Sequence, residues 1–338
     1  EAFTDPKAMF DKINGMGFKT LLWVGPFVAP DSPEYRDLKN KGLLIMRKSR
    51  KSPGILHWWS GYSAAYDLTK PEAVESLKGT LRDMQKKYGM HGFKFDAGDT
   101  KFVVGDFKFN KPDQIPMDYT HEWSKFALDF PYNEFRANAR MGGQPVVLRL
   151  QDKHHTWKDL RQIIPDMLAA GIMGYPYTCP DMIGGGDYVS FQPGAELDEK
   201  LVVRSCQAHA LMPMMQFSVA PWRVLSKKNM EICRKFARLH EKFGPYILEL
   251  ARNASKTGEP IVRYMEYEFP NQGFENCKDQ FMLGPKYLVA PVLTKEDSRE
   301  VMLPAGEWKD DLGKVWKGGQ KIKIDVPIDR LPYFEKIK

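Results

Sequence analysis

Gly92-Phe93-Lys94-Phe95-Asp96-Ala97-Gly98-Asp99 decides how this chain reads. Phe93 and Phe95 alternate with Lys94, the pattern of a short strand. The run stops at a carboxylate, Asp96; two small residues follow, and then a second carboxylate, Asp99. Such a strand carries a charged group out of the sheet where a loop begins. In a barrel of alternating strands and helices, that edge holds the catalytic groups. Lys94 lies two residues before Asp96, so alternation sends both side chains to one face. An ammonium there is expected to keep Asp96 ionised.

On either side of this segment, one order repeats through the first two-thirds of the chain: helix, glycine, apolar strand, loop. Asp5-Pro6 is an N-cap with proline at the first helical position. Lys19 to Phe27 follows as a strand expected to be buried on both faces. Thr69 and Glu72 form an expected capping box around Pro71, opening a helix that ends at Gly89, just before the Asp96 strand. Gln144 to Leu150 is the next strand and ends at Gln151-Asp152. Thr156 caps a further helix, and Met173 to Cys179 and Met214 to Ser218 complete five expected strands. Gly54 to Trp59 is a further candidate. Strands separated by helices pair in parallel through right-handed crossovers. After a long helical stretch from Lys228 to about Asn253, short alternating runs between Pro and Gly turns read as an antiparallel sandwich. The expected architecture is therefore α/β: a (β/α)8 TIM-type barrel over residues 1–256, incomplete at its N-terminus, then a β-sandwich over 257–338.

Composition sets the outer bounds. The 338 residues, 43% hydrophobic and 12% aromatic, are enough to bury a core. Net charge is +7, but 50 basic residues face 43 acidic ones, so the excess is diffuse. The one tight cluster, Arg47-Lys48-Ser49-Arg50-Lys51, reads as a solvated loop, and no nucleic-acid motif accompanies it. A basic interaction module using that cluster is a distant rival, with salt-sensitive polyanion binding as its signature. Cys179, Cys206, Cys233 and Cys277 include no C-x-x-C, which excludes a disulfide-dense scaffold and a zinc finger but leaves one or two disulfides open. His154-His155 lacks a third ligand at useful spacing, and no G-x-S-x-G is present. No apolar run is long enough to span a bilayer. The chain begins at Glu1 rather than Met and reads as a fragment, with any targeting segment or membrane anchor upstream. Asn253-Ala254-Ser255 is a glycosylation sequon, relevant in the secretory pathway.

Asp96 and Asp152 each stand just past an apolar strand. In one parallel barrel both would emerge at the same rim. Two facing carboxylates are the apparatus for cutting a glycosidic bond: one attacks the anomeric carbon, the other protonates the departing oxygen. Retention requires them about 5 to 5.5 Å apart, and inversion a wider gap. The bland reading is that aspartates after strands cap helices or shape turns, as Asp181 would.

These residues, taken together, resemble glycoside hydrolase family 31, the α-glycosidases built on a (β/α)8 barrel. GFKFDAGD resembles its nucleophile segment. Trp23-Val24-Gly25-Pro26-Phe27-Val28-Ala29-Pro30-Asp31-Ser32-Pro33 resembles its strand leading to an apolar-Pro-Asp-Ser loop, and Trp59-Ser60-Gly61 its tryptophan loop. Arg136 precedes Asp152 at the spacing from a sugar-binding arginine to the acid/base. Cys179-Pro180-Asp181-Met182-Ile183-Gly184-Gly185 resembles a later Asp-x-Gly-Gly loop. The FKFDAG form, with Arg149-Leu150-Gln151-Asp152, is similar to the branch of myogenesis-regulating glycosidases. The resemblance implies Asp96 as nucleophile and Asp152 as acid/base, with Lys94, Trp59, Arg136, Arg149, Asp181 and Trp23 around the sugar. It implies no metal or organic cofactor, a carbohydrate partner rather than nucleic acid, and a secretory location. The implied activity leans to α-galactoside cleavage, with α-glucosidase or a catalytically silent sugar-binding relative as alternatives. Two departures bear on specificity. Arg149-Leu150-Gln151-Asp152 stands where many members carry Trp-x-Gly-Asp, and Met215 to Ala220 lacks a histidine they place there.

Overall fold

The computed structural model describes residues 3–49 and 51–338; Glu1, and Arg50 of the basic cluster, lie outside the described residues. The chain forms two compact units, residues 1–148 and 149–338.

In the first unit, Asp5 caps the helix Pro6–Gly15 by accepting from the Ala8 amide at 2.9 Å. The strands Leu21–Val24, Gly92–Phe95 and Asn133–Phe135 lie parallel, and Leu148 pairs with Phe135. Register places Trp23 beside Lys94, and Lys94 beside Glu134. Alternation turns Phe93, Phe95 and Phe135 to the other face, where they are fully buried with Trp123, Phe126 and Phe130. Phe95 stacks on Phe135 at 4.6 Å between centroids. Each such side chain contributes roughly 2–3 kcal/mol by leaving water. The turn after Asp96 needs glycine: Gly98 has φ 74, and a Cβ there would come within 2.3 Å of the Trp123 ring.

Three details differ from the reading of the sequence. Leu21–Val24 is not buried on both faces, since Leu21 and Trp23 are 38% and 44% exposed. The Thr69 hydroxyl does not cap the helix Pro71–Tyr88; it donates to Asp67 and accepts from the Asn110 amide, leaving Lys70 at the N-cap position without a side-chain bond. A carboxylate two residues away outcompeted the helix end for that hydroxyl. Leu56–Trp58 is no parallel barrel strand either. It pairs antiparallel with Gly61–Ala65, which also pairs antiparallel with Phe27–Val28.

In the second unit, Thr156 caps the helix Trp157–Ile172. The strands are shorter than expected: Thr178–Cys179, Met182–Ile183 and Gln216–Phe217, the last two paired in parallel. The helices Glu199–Ala210 and Lys227–Thr257 follow. From Val262 onward the chain is antiparallel, with a six-stranded sheet and a two-stranded one enclosing Met282, Leu288, Val301, Trp308 and Phe334. One hydrophobic cluster runs from Leu160 and Ile164 through Val203, Phe236 and Leu250 to Phe281 and Val289, joining the helices to the sandwich. The fully buried Arg204 adds a polar tie, donating to the Val326 carbonyl at 2.7 Å and to Asp297 at 3.0 Å. This shared core holds the helices after residue 149 and the sandwich in one compact unit. All four cysteines are free thiols.

Candidate active site

In the first unit, three groups converge on Asp96. Its Oδ2 accepts from Trp23 Nε1 at 2.8 Å. Its Oδ1 accepts from Arg136 Nε and from the Ala97 amide, both at 2.7 Å. The sheet explains the meeting. Trp23 stands on the neighbouring strand, and Arg136 follows Glu134 by two residues, as Asp96 follows Lys94, so all point to one face. Burial works to raise the Asp96 pKa; the donors Arg136, Trp23 and Ala97, with the guanidinium charge, outweigh it and hold the carboxyl below its ordinary value. Arg136 also forks onto Asp99, at 3.2 Å and 2.7 Å, so one guanidinium binds both acids of the decisive segment. Ala97 sits at φ 56, a left-handed conformation that costs a non-glycine residue of order 1 kcal/mol or more. The backbone is bent sharply at the point that turns its amide onto Asp96.

Lys94 requires a correction. Its Nζ pairs with Glu134 at 3.1 Å, directly across the sheet. The cation that acts on Asp96 is Arg136, because an adjacent strand offered Lys94 a closer carboxylate.

The aromatic wall is built of three indoles. Trp23 stacks on Trp58 (6.4 Å, 14°) and meets the edge of Trp59 at 6.0 Å. Trp58 is buried, with its Nε1 on Ser63 Oγ at 3.0 Å, whereas Trp59 is 60% exposed. Trp23 thus has two roles, a donor to Asp96 and a flat apolar surface.

In the second unit, Arg149 is buried and its Nη1 is shared between Asp152 and Asp181, the latter at 3.1 Å. Asp152 keeps 47% of its side chain in solvent. Lys153 turns away from it: its Nζ binds the Gln151 carbonyl and Asp166. Asp181 is fully buried. Its Oδ2 accepts from the Lys153 amide at 2.7 Å, and burial raises its pKa against that bond and the Arg149 charge. Its φ of 139 marks a second strained residue. Gly186 has no Cβ for a structural reason, since one would lie 2.7 Å from Asp181 and 2.9 Å from Asp152.

Two contributors were not evident from spacing. His209, on the helix Glu199–Ala210, meets the Asp181 carbonyl at 3.0 Å through Nε2, and burial pushes its pKa down to about 4. Nothing in its local sequence separates it from a packed helical histidine. Gly186 is the last of a triple-glycine run that was legible as a turn, but not as a cradle for two carboxylates. His155 hydrogen-bonds the Gly184 carbonyl and the Asp198 amide, a loop-holding role. Among the described residues, no group of three or more His, Cys, Asp or Glu side chains could hold a metal ion.

Comparison with known proteins places these features in a family. The model of the glycosyl hydrolases family 31 TIM-barrel domain matches residues 1–250, and that of the glycosyl hydrolase family 31 C-terminal domain matches residues 258–337. The chain is 33% identical to the myogenesis-regulating glycosidase of Mus musculus, over 97% of this chain and 47% of that protein. It is 32% identical to the probable glucan 1,3-alpha-glucosidase of Arabidopsis thaliana, over 99% of this chain and 39% of that protein. Among solved structures, the Flavobacterium johnsoniae GH31 dextranase complexed with glucose matches with a TM-score of 0.85 and 26% identity, over 98% of this chain and 44% of that one. The chain spans less than half the length of these curated relatives. With both domain models matched in order, the chain belongs to glycoside hydrolase family 31, carrying its TIM-barrel domain followed by its C-terminal domain.

Proposed function

We propose that this chain carries the catalytic carboxylates of a retaining exo-acting α-glycosidase that leans to α-galactosides, with Asp96 as nucleophile and Asp152 as acid/base. The observation that supports this best is the environment of Asp96. Three donors hold the carboxylate in its charged form at a strand end, which is what a nucleophile requires. In the first step, an Asp96 oxygen bonds to the anomeric carbon as the glycosidic C–O bond breaks. Asp152 gives its proton to the departing oxygen. In the second step, Asp152 takes a proton from water, the water oxygen attacks the anomeric carbon, and Asp96 is released. Trp59 and Trp23 offer the flat apolar surface that a pyranose ring stacks against. The lean to galactose rests on resemblance to the myogenesis-regulating glycosidase branch, and Arg149-Leu150-Gln151-Asp152 in place of the Trp-x-Gly-Asp form counts against the common α-glucosidase specificity. We place the protein in the secretory pathway, where the sequon at Asn253, exposed on the helix Lys227–Thr257, could be used.

The test is covalent trapping. The intact protein, treated with an activated α-galacto-configured cyclophellitol aziridine, should acquire one adduct on Asp96 by peptide mass spectrometry; Asp96→Asn should acquire none. A panel of 4-nitrophenyl α-glycosides then ranks the sugars, and galactoside turnover below that of glucoside would overturn the lean.

One observation favours a second reading. The Asp152–Arg149–Asp181 chain is also what a silent sugar-binding relative would keep, since it ties Asp152 into a structural ion network. Labelling separates the two, because a silent relative binds sugar without trapping the probe.

A further inference from the structure

A cavity of about 560 Å³ in the first unit is lined by Arg47, Lys48, Lys51, Lys70, Lys108 and Asn110. None of the residues around Asp96 lines it. Like charges brought together this way repel unless something neutralises them. Lys70 donates to the Gly42 carbonyl at 2.9 Å and Arg47 interacts electrostatically with Asp106, whereas Lys48, Lys51 and Lys108 form no ion pair among the described residues. Two acids, Asp67 and Asp106, stand against the five cations and leave an excess of positive charge. Asp106 accepts from the Ser49 amide at 3.0 Å and from the Ser49 hydroxyl; these bonds hold its carboxyl below the ordinary value, so it stays charged and offsets part of the Arg47 charge. Asp67, which also lines the cavity, is buried and accepts from the Thr69 amide and hydroxyl; burial raises its pKa, and those bonds and the Lys70 charge work against the rise.

The cations sit on a framed ribbon. Met46–Arg47 pairs antiparallel with Phe107–Lys108, the Arg47 amide donates to the Ser52 carbonyl at 3.0 Å, and the Lys48 amide to the Asp106 carbonyl at 3.3 Å. Such a frame holds charges in place at less entropic cost than a free tail would. Met46 and Phe109 add apolar surface to the same lining. Clustered cations select a multiply charged oxyanion, and the apolar surface suits a ring attached to it. The volume falls within the range of small-molecule sites, enough for one or two sugar rings.

We propose that this cavity binds the sulfate or phosphate ester of an anionic saccharide, at a place separate from the Asp96 centre. The site stands whether or not the glycosidase reading holds, since it uses none of those residues.

Calorimetric titration of the intact protein tests it, with glucose 6-phosphate, a sulfated disaccharide from heparin, inorganic phosphate and neutral glucose as separate arms. At least one ester should bind one to one, several-fold more weakly at 200 mM than at 50 mM salt as screening grows. The double variant Lys48→Gln, Lys108→Gln should lose about tenfold or more in affinity. Its thermal midpoint and its labelling at Asp96 should stay as in the parent. Should the double variant fold poorly, Lys51→Gln, at an exposed position, gives the same reading with a smaller loss. Absence of ester binding, unchanged affinity in the variants, or inorganic phosphate binding as tightly as the esters would each overturn the proposal.

Discussion

Arg136→Gln tests the electrostatics of the Asp96 centre most directly. The guanidinium makes three bonds, one to Asp96 and two to Asp99, and its side chain is only 10% exposed. Glutamine cannot replace the charge, and it leaves two carboxylates together with exposures of 11% and 21%. Breaking a buried pair by removing one partner costs about 3–5 kcal/mol, and partial water access puts this case near the lower end, about 3 kcal/mol. For a unit of this size that is a fall of roughly 6–12 °C in thermal midpoint. The sign with pH follows from the depressed Asp96 pKa. Its stabilising contribution is complete above the unfolded value near 3.9 and is lost as pH falls through the lower folded value. The gap between parent and variant should therefore be widest at neutral pH and narrow below about pH 4. In the proposed reaction, the variant's Asp96 protonates more readily, so the acidic limb of kcat/KM should move to higher pH. Calorimetric scans from pH 3 to 8 and a pH–rate profile measure both effects. A stability gap that does not change with pH, together with an unmoved acidic limb, would refute the account of why Asp96 stays ionised.

Trp23→Phe keeps an aromatic ring but removes the indole donor to Asp96, so the acidic limb should shift in the same direction as in Arg136→Gln but by less, as a pH–rate profile would show. Lys94→Met should leave that limb in place, since Lys94 answers to Glu134; a shift comparable to that of Arg136→Gln would contradict the pairing. Gly186→Ala forces a methyl group within 3 Å of two carboxylates and should lower the thermal midpoint by several degrees, for a cost of about 1–3 kcal/mol. Asn253→Gln should abolish a glycosidase-sensitive mass shift in protein secreted from a eukaryotic host; a parent protein with no such shift would count against the proposed location.

The parts of the fold legible in the sequence were those fixed by local chemistry. Asp5 and Thr156 announced their helices because an N-cap needs only a side-chain oxygen and the next amides. Asp96 was legible because alternation and a following glycine decide where a strand stops. The errors arose where a group outside the local pattern competed. Thr69 had the right neighbours for a capping box, but Asp67 and Asn110 took its hydroxyl, and Asn110 is brought there by tertiary structure. Lys94 pointed to the expected face, but the Glu134 strand brought a carboxylate nearer. Arg136 is the instructive case. Its role was available only through resemblance, because no local pattern tells which strand will lie beside the one ending in Asp96. Once the strands pair, the two-residue period leaves its guanidinium little choice, and the same residue then bonds both acids of the segment and holds the Asp96 carboxyl below its ordinary value.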